Sequence, residues 1–316
     1  MGLFAKSKKN AGYLAIGLRA DGLCAVHIKR SVSAKPEVEL LAFYPGNLQS
    51  TEGLLERLSK DVHAVRYQCG TMLAADEYQI LTLEAPNVPA DELKAAIRWR
   101  LKDMLDYHVD DATIDVLDIP PDPNAPTRNH SMYAIAARNG LIENKQALFA
   151  KTKVPLSVID VPEMAQRNLS VLLETPQRGL AMLTFTEEGG LLTVTHGGEL
   201  YLSRRIDVSL AQLQESDVER RDACFDRITL ELQRSLDHFD RQFNFIPLAR
   251  LVLGPMPEAA AELRDYLASN LYVPVENLKL EDVLDFSKTP DLQKPLVQQK
   301  FLLYLGAALR EEEKQL

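Results

Sequence analysis

The sequence predicts an α/β protein of two lobes, built from one supersecondary unit used twice, with a smaller unit inserted between the copies. Three observations carry that reading. A meander of three strand-like segments and a helix opens near Gly12. The same order opens again near Leu180, and a proline-punctuated stretch with its own strands and helices separates the two.

In the first copy, Gly12–Leu18 is apolar and β-compatible, Ala20-Asp21-Gly22 is a turn, and Leu23–Ile28 alternates again. Glu37–Phe43 supplies a third strand, Pro45-Gly46-Asn47 ends it, and Thr51 is expected to cap a helix carrying Leu54, Leu55 and Leu58. The insert begins with a strand over Tyr78–Leu83, and Pro86 and Pro89 then punctuate it. A helix runs from about Asp91 to Tyr107 with Leu93, Ile97, Leu101 and Leu105 as its buried stripe. Ile119–Asn129 reads as a proline-rich loop, Met132–Ala137 as a strand and Leu141–Lys151 as a helix. The second copy follows with Leu180–Phe185, a turn at Glu187-Glu188-Gly189-Gly190, and Leu191–His196. Gly197-Gly198 makes a tight hairpin into Glu199–Ile206, and a long helix follows over Ala223–Phe243. Identity between the copies is negligible, so the repeat is one of architecture alone.

Composition narrows the function classes. A formal net charge of −9 over 316 residues argues against general nucleic-acid binding, which needs a basic surface. No apolar run reaches the roughly 18 residues needed to span a bilayer. Met1–Asn10 is basic but lacks the apolar core of a secretory signal. Cys24, Cys69 and Cys224 are far apart and form no CxxC pair, and the six histidines show no metal-ligand spacing. A reducing, cytoplasmic setting is expected, with no metal.

At this point the residues resemble a known family. Leu14–Leu18 with Leu23–Ile28 resembles the first phosphate hairpin of the pilus-assembly protein PilM, and Leu83–Tyr107 resembles its ELxxAIxW helix. Leu156–Val161 resembles the strand that leads back from the insert, and Arg227–Phe239 the EIQRSLDYF helix. Leu251–Gly254 resembles the adenosine-side turn and Leu305–Arg310 the closing GLALR helix. The resemblance implies an actin-like fold, a duplicated ribonuclease H-like unit with the inserted subdomain of FtsA and PilM. It sets the first lobe at residues 1–76 and 152–179, the insert at 77–151 and the second lobe at 180–290. Residues 291–316 form a C-terminal helix returning to the first lobe. Within the family the degraded motifs are closer to the MSHA-pilus protein MshI than to PilM.

Actin-like ATPases place an acid and a glycine in each phosphate hairpin, the acids for hydrated magnesium and the attacking water, the glycine for backbone approach to phosphate. Here the first D-x-G falls on Gly17-Leu18-Arg19 and the second on Thr184-Phe185-Thr186, so both acids are missing. At the adenosine turn the glycine pair has become Gly254-Pro255, which removes a donor. The degenerate nucleotide cleft is thus expected at Gly17, Arg19, Asp21, Thr184, Thr186 and Gly254. Asp21, Glu187 or Glu188 would replace a motif acid only after a register shift, and Arg19 could pair with phosphate directly. Gly17 and Thr184 are read as strand residues beside a vacant cleft. No catalytic residue and no cofactor are expected, and any ATP binding would be weak and without turnover.

Trp99, the only tryptophan, sits among Arg98, Arg100 and Lys102 on the insert helix. The resemblance makes this helix a partner-binding surface of Leu93, Ile97, Arg98, Trp99 and Lys102 for the N-terminal tail of a PilN-like inner-membrane protein. It implies a cytoplasmic scaffold, attached to the inner membrane through that partner and joined by other pilus assembly platform proteins and the assembly ATPase. An active ATPase or phosphotransferase of the same fold, and a cytoplasmic component of type II secretion, are the competing readings. The tail with Leu3, Phe4, Lys6, Lys8 and Lys9 reads as a frayed terminus rather than a lipid anchor, and Glu311–Glu313 as a solvated helix end.

Overall fold

Strand β1 (Tyr13–Arg19) turns back through Ala20-Asp21 into β2 (Gly22–Lys29), with Arg19 opposite Gly22. Gly22 has φ +141°, and a Cβ there would stand 2.1 Å from the carbonyl oxygen of Tyr44 on β3 (Glu37–Pro45). Only glycine meets both demands. The computed structural model, which describes residues 10–30, 34–124 and 130–311, repeats this device in the second half. The basic tail, the end of the proline-rich loop, and Glu312 and Glu313 lie outside the described residues.

The chain falls into two compact units, Met1–Met72 with Thr152–Leu316, and Leu73–Lys151. In the larger unit, β3 leads through a 3-10 turn to α1 (Thr51–Asp61) and then β4 (Gln68–Met72). Thr51 is the first helical residue and not a side-chain cap. Asn47 caps the preceding turn Leu48–Ser50 by a capping box, and the Thr51 hydroxyl donates to the Leu48 carbonyl. Leu55 and Leu58 are the residues α1 buries.

The smaller unit holds β5 (Tyr78–Glu84), α2 (Ala90–Leu101), β6 (Ala112–Ile119), β7 (Ser131–Arg138) and α3 (Asn139–Lys151). Its three strands are antiparallel in the order β5-β7-β6. Helix α2 is shorter than the spacing predicts. Beyond Leu101 the Met104 amide bonds to the Leu101 carbonyl, and the chain turns with Leu105 still against the core. Strand β6 was not anticipated, and Ile119, expected in the loop, closes it.

The chain returns through β8 (Leu156–Asp160) and crosses on α4 (Pro162–Val171) to β9 (Gly179–Thr186), β10 (Gly189–His196) and β11 (Glu199–Ile206). Gly189, at φ +131°, stands where Gly22 stood. Thr186 lies opposite it, and a Cβ would be 2.9 Å from the carbonyl of Ile206. After α5 (Leu210–Leu213) comes α6 (Val218–Gln242), started by Asp217, whose carboxylate accepts from the Glu219 and Arg220 amides. Phe225, Ile228, Leu232, Leu236 and Phe239 form its buried face. Strand β12 (Leu248–Leu253), α7 (Leu263–Asn270), β13 (Val275–Asn277) and α8 (Pro295–Ala308) complete the chain.

The two five-stranded sheets have identical topology, β3-β2-β1-β4-β8 and β11-β10-β9-β12-β13. In each, three antiparallel strands are followed by two parallel ones. Between the sheets lie α8, packed on β1 and β2, and α4, packed on β9, β10 and β11, with the two helices against each other. One core therefore joins Ala15, Cys24 and Val26 of the first sheet, Leu180 and Met182 of the second, Leu169 of α4, and Leu302 and Leu305 of α8.

The helix pair crosses at Gly306, where a Cβ would meet the Ala165 carbonyl oxygen at 2.0 Å. Gly306→Ala is accordingly expected to cost about 3 kcal/mol, because backbone, not a movable side chain, is in the way. Gly53→Ala, on the open face of α1 with nothing within 4 Å, should stabilise by about 0.5 kcal/mol. Urea denaturation of the two variants checks the contrast, and equal effects would contradict this account of the crossing.

Candidate functional site

The six cleft residues foreseen from sequence fall on corresponding ends of the two sheets, and the space beside Gly17 and Gly254 is filled. A Cβ on Gly17 would lie 2.1 Å from Cε1 of Tyr304 in α8. The ring thus stands where a motif carboxylate would project, and the room expected to be vacant beside Gly17 is occupied by Tyr304. Burial pushes the Tyr304 phenol up to about 12, so it is neutral at ordinary pH.

Arg19 and Asp21, at the exposed end of the hairpin, are paired within the chain. Arg19 Nε donates to Asp21 Oδ1 at 2.7 Å, and Lys300 Nζ of α8 donates to Asp21 Oδ2 at 2.9 Å. Lys300 also sits over the Phe43 ring, 3.7 Å from its centroid. Burial works against the charge on Asp21, but the hydrogen bonds from Arg19 and Lys300 outweigh it and hold the carboxyl below its ordinary range. Both oxygens are committed to cations of the same chain.

On the second sheet, the buried Thr184 hydroxyl donates to Gln166 Oε1 at 2.6 Å. Gln166, fully buried on α4, turns its amide nitrogen to the Met182 carbonyl at 2.8 Å and to Thr193 Oγ1 at 2.9 Å. Thr184 is therefore a structural anchor for α4. Thr186 stays within its own turn, donating to the Gly189 carbonyl and accepting from the Glu188 amide. Gly254 donates its amide to the Leu183 carbonyl at 2.8 Å, and a Cβ there would meet Thr184 at 2.9 Å and Leu302 of α8 at 3.1 Å. The glycine serves close packing.

Sequence reasoning missed Gln166, Lys300 and Tyr304. Lys300 left a signal, as one cation within the apolar helix Pro295–Ala308. It also missed two buried acids beside α4. Glu163 is fully buried with Arg205 Nη2 at 3.2 Å. Asp160 pairs with Arg310 Nη1 at 2.9 Å, and burial raises its carboxyl above the ordinary range despite that cation.

In the smaller unit the five residues foreseen as a partner surface separate. Ile97 is fully buried and Leu93 packs against the same core, because they lie on the apolar stripe of α2. Arg98 is spent within the unit, its guanidinium donating to the Val109 and Ala112 carbonyls and pairing with Asp110. Ile97 and Arg98 are thus corrected to structural residues. Trp99 is 79% exposed and Lys102 is exposed beside it. With Arg100, Met104 and Thr82 they line a surface recess of about 480 Å³. Arg100 fixes one wall by donating to the Glu84 carbonyl.

Among the described residues no cluster of His, Cys, Asp and Glu could hold a metal ion, and no helix is long and apolar enough to cross a membrane. No protein-family model matches the chain, and no curated protein matches it in sequence. Solved structures do. A PilM–PilN type IV pilus biogenesis complex aligns over 95% of this chain and 98% of its own, at 19% identity and a TM-score of 0.69. A Bacteroides thetaiotaomicron protein of actin-like ATPase fold and unknown function aligns over 94% and 98%, at 12% identity and 0.49. The cytoplasmic domain of EpsL, an inner-membrane component of the Vibrio cholerae type II secretion system, aligns over 83% and 97%, at 12% and 0.48. This chain has the actin-like fold.

Two outcomes follow from the filled cleft. Gly17→Asp, which restores a motif acid, should destabilise by about 3 kcal/mol, and Tyr304→Gly in the same chain should recover part of that loss. Strict additivity in denaturation would show that the new side chain does not meet Tyr304. Asp21 has a lowered folded value, so its contribution is present above its unfolded value of about 4 and fades as pH falls through the folded one. Wild type should therefore lose more stability than Asp21→Asn on acidification below about pH 4, measured by urea midpoints.

Proposed function

We propose that this protein is a non-catalytic scaffold of a type IV pilus assembly platform, docking the N-terminal tail of a PilN-like inner-membrane protein on the Trp99 face of its smaller unit. The observation that carries the reading is the alignment with PilM in the PilM–PilN complex over 95% of the chain. It is supported by the replacement of both motif acids, by Gly17 and Thr184, which leaves no carboxylate for magnesium or for water activation at the motif position of either hairpin. The same degradation favours the MSHA-pilus branch. On this reading the protein lies in the cytoplasm and reaches the inner membrane through its partner, where other platform proteins and the assembly ATPase join it.

Trp99 is the anchor because a large, rigid aromatic already exposed has little ordering left to lose on binding. Arg100 and Lys102 beside it favour a tail with a carboxylate near its apolar anchor. Trp99→Ala should leave the unfolding midpoint nearly unchanged and weaken a PilN-like N-terminal peptide by about 2 kcal/mol, roughly 30-fold, in calorimetry. Undiminished binding by that variant would remove the docking site from this face. The purified protein should release no phosphate from Mg·ATP above a heat-killed control. Turnover lost on Asp21→Asn would instead support the enzyme reading.

A further inference from the structure

We infer that α8 is a built-in replacement for a cleft ligand, its Lys300 ammonium and Tyr304 ring taking the room of a cation and a phosphate group and latching the two sheets together without nucleotide. The inference goes beyond the scaffold reading and does not depend on it.

A ligand closes a two-lobed cleft by touching both walls, and it sets their arrangement only through those contacts. Helix α8 makes such contacts on both sides. Toward the first sheet, Lys300 bonds Asp21 at 2.9 Å and covers the Phe43 ring, while Tyr304 lies against Gly17. Toward the second, Gln299 Nε2 donates to the Phe185 carbonyl at 3.4 Å, and Leu302 lies against Gly254. Every foreseen phosphate-side position except Thr186 is thereby in contact with α8 or with a residue that α8 touches.

The chemistry of the substitution is consistent. A divalent cation would need carboxylate oxygens facing the cleft, and those of Asp21 already hold Arg19 and Lys300. A triphosphate would need glycine backbone at the hairpin, where Arg19 now stands, and free volume beside Gly17, where the Tyr304 ring now stands. A tethered lysine supplies the positive charge at a high effective concentration and at no cost in free metal. The far end of the helix is also held, by Arg310 on Asp160 and by Arg30 donating to the Leu309 carbonyl.

The test uses the full chain, with Lys300→Met, which keeps the stem and removes the charge, Asp21→Asn, and the pair combined. Lys294→Ala, whose ion pair with Asp291 is exposed, is the control. Amide exchange across residues 17–24 should rise about tenfold in Lys300→Met and at least as much in Asp21→Asn, which also frees Arg19. It should rise no further in the double than in Asp21→Asn, because there the Lys300 contact is already gone. The control should match wild type. Millimolar Mg·ATP or Mg·ADP should leave the wild-type unfolding midpoint and hairpin exchange unchanged. Unaltered exchange in Lys300→Met would overturn the latch, as would additive effects in the double variant. Protection of the hairpins by Mg·ATP in wild type would overturn the replacement of the ligand.

Discussion

The two sheets depend on the close approach of Gly306 to the Ala165 carbonyl, where α8 and α4 cross without a side chain between them. Both sheets rest on this pair, one on each helix. Close backbone approach lets Asn168 donate to the Gly306 carbonyl at 3.0 Å in a buried setting. Gln166 anchors the second sheet to α4, while Lys300 and Tyr304 bind the first sheet to α8.

The duplicated topology was used for different ends in its two halves. Gly22 and Gly189 solve the same steric problem in the two opening hairpins, and both survive because the third strand presses against each. At the positions the resemblance assigns to phosphate chemistry, Gly17 lies against the Tyr304 ring of α8 and the Thr184 hydroxyl turns inward to Gln166. Packing of this kind leaves fewer polar groups to satisfy than an empty polar cleft would.

Much of the fold was legible in sequence because its signals are local. The hairpin glycines, the stripe of α6 and the return of the meander all sit within a few residues of what they determine. Strand β6 was not legible, because Asp115 and Asp118 interrupt its apolar residues and the proline-rich stretch draws attention away from it. The length of α2 was overread because Leu105 keeps the helical spacing while the chain is already turning. The candidate site was harder. That Gly17 and Thr184 lack acids can be read directly, but what stands beside Gly17 comes from the opposite end of the sequence. Within α2, spacing put Ile97 on the buried stripe, yet the resemblance grouped it with Trp99 on one partner surface, and the two lie on different faces, one buried and one exposed. Arg98 gave no sign that its charge was committed to Asp110 and two carbonyls.

The contact between Gly17 and Tyr304 also bears on how the chain reaches its native state. The first hairpin is made early in translation, and the helix that covers it is made late. Until α8 arrives, the inner face carrying Ala15, Cys24 and Val26 lacks its cover, and so does the matching face of the second sheet. Pairing of Glu37 with Asp285 on the β3 edge spans nearly the same separation. Contacts so remote in sequence slow folding, because the intervening loop must be closed before they form. Seating that one apolar helix closes the core the two sheets share. An interval in which that helix is unseated leaves a large oily surface open to chaperones or to other chains.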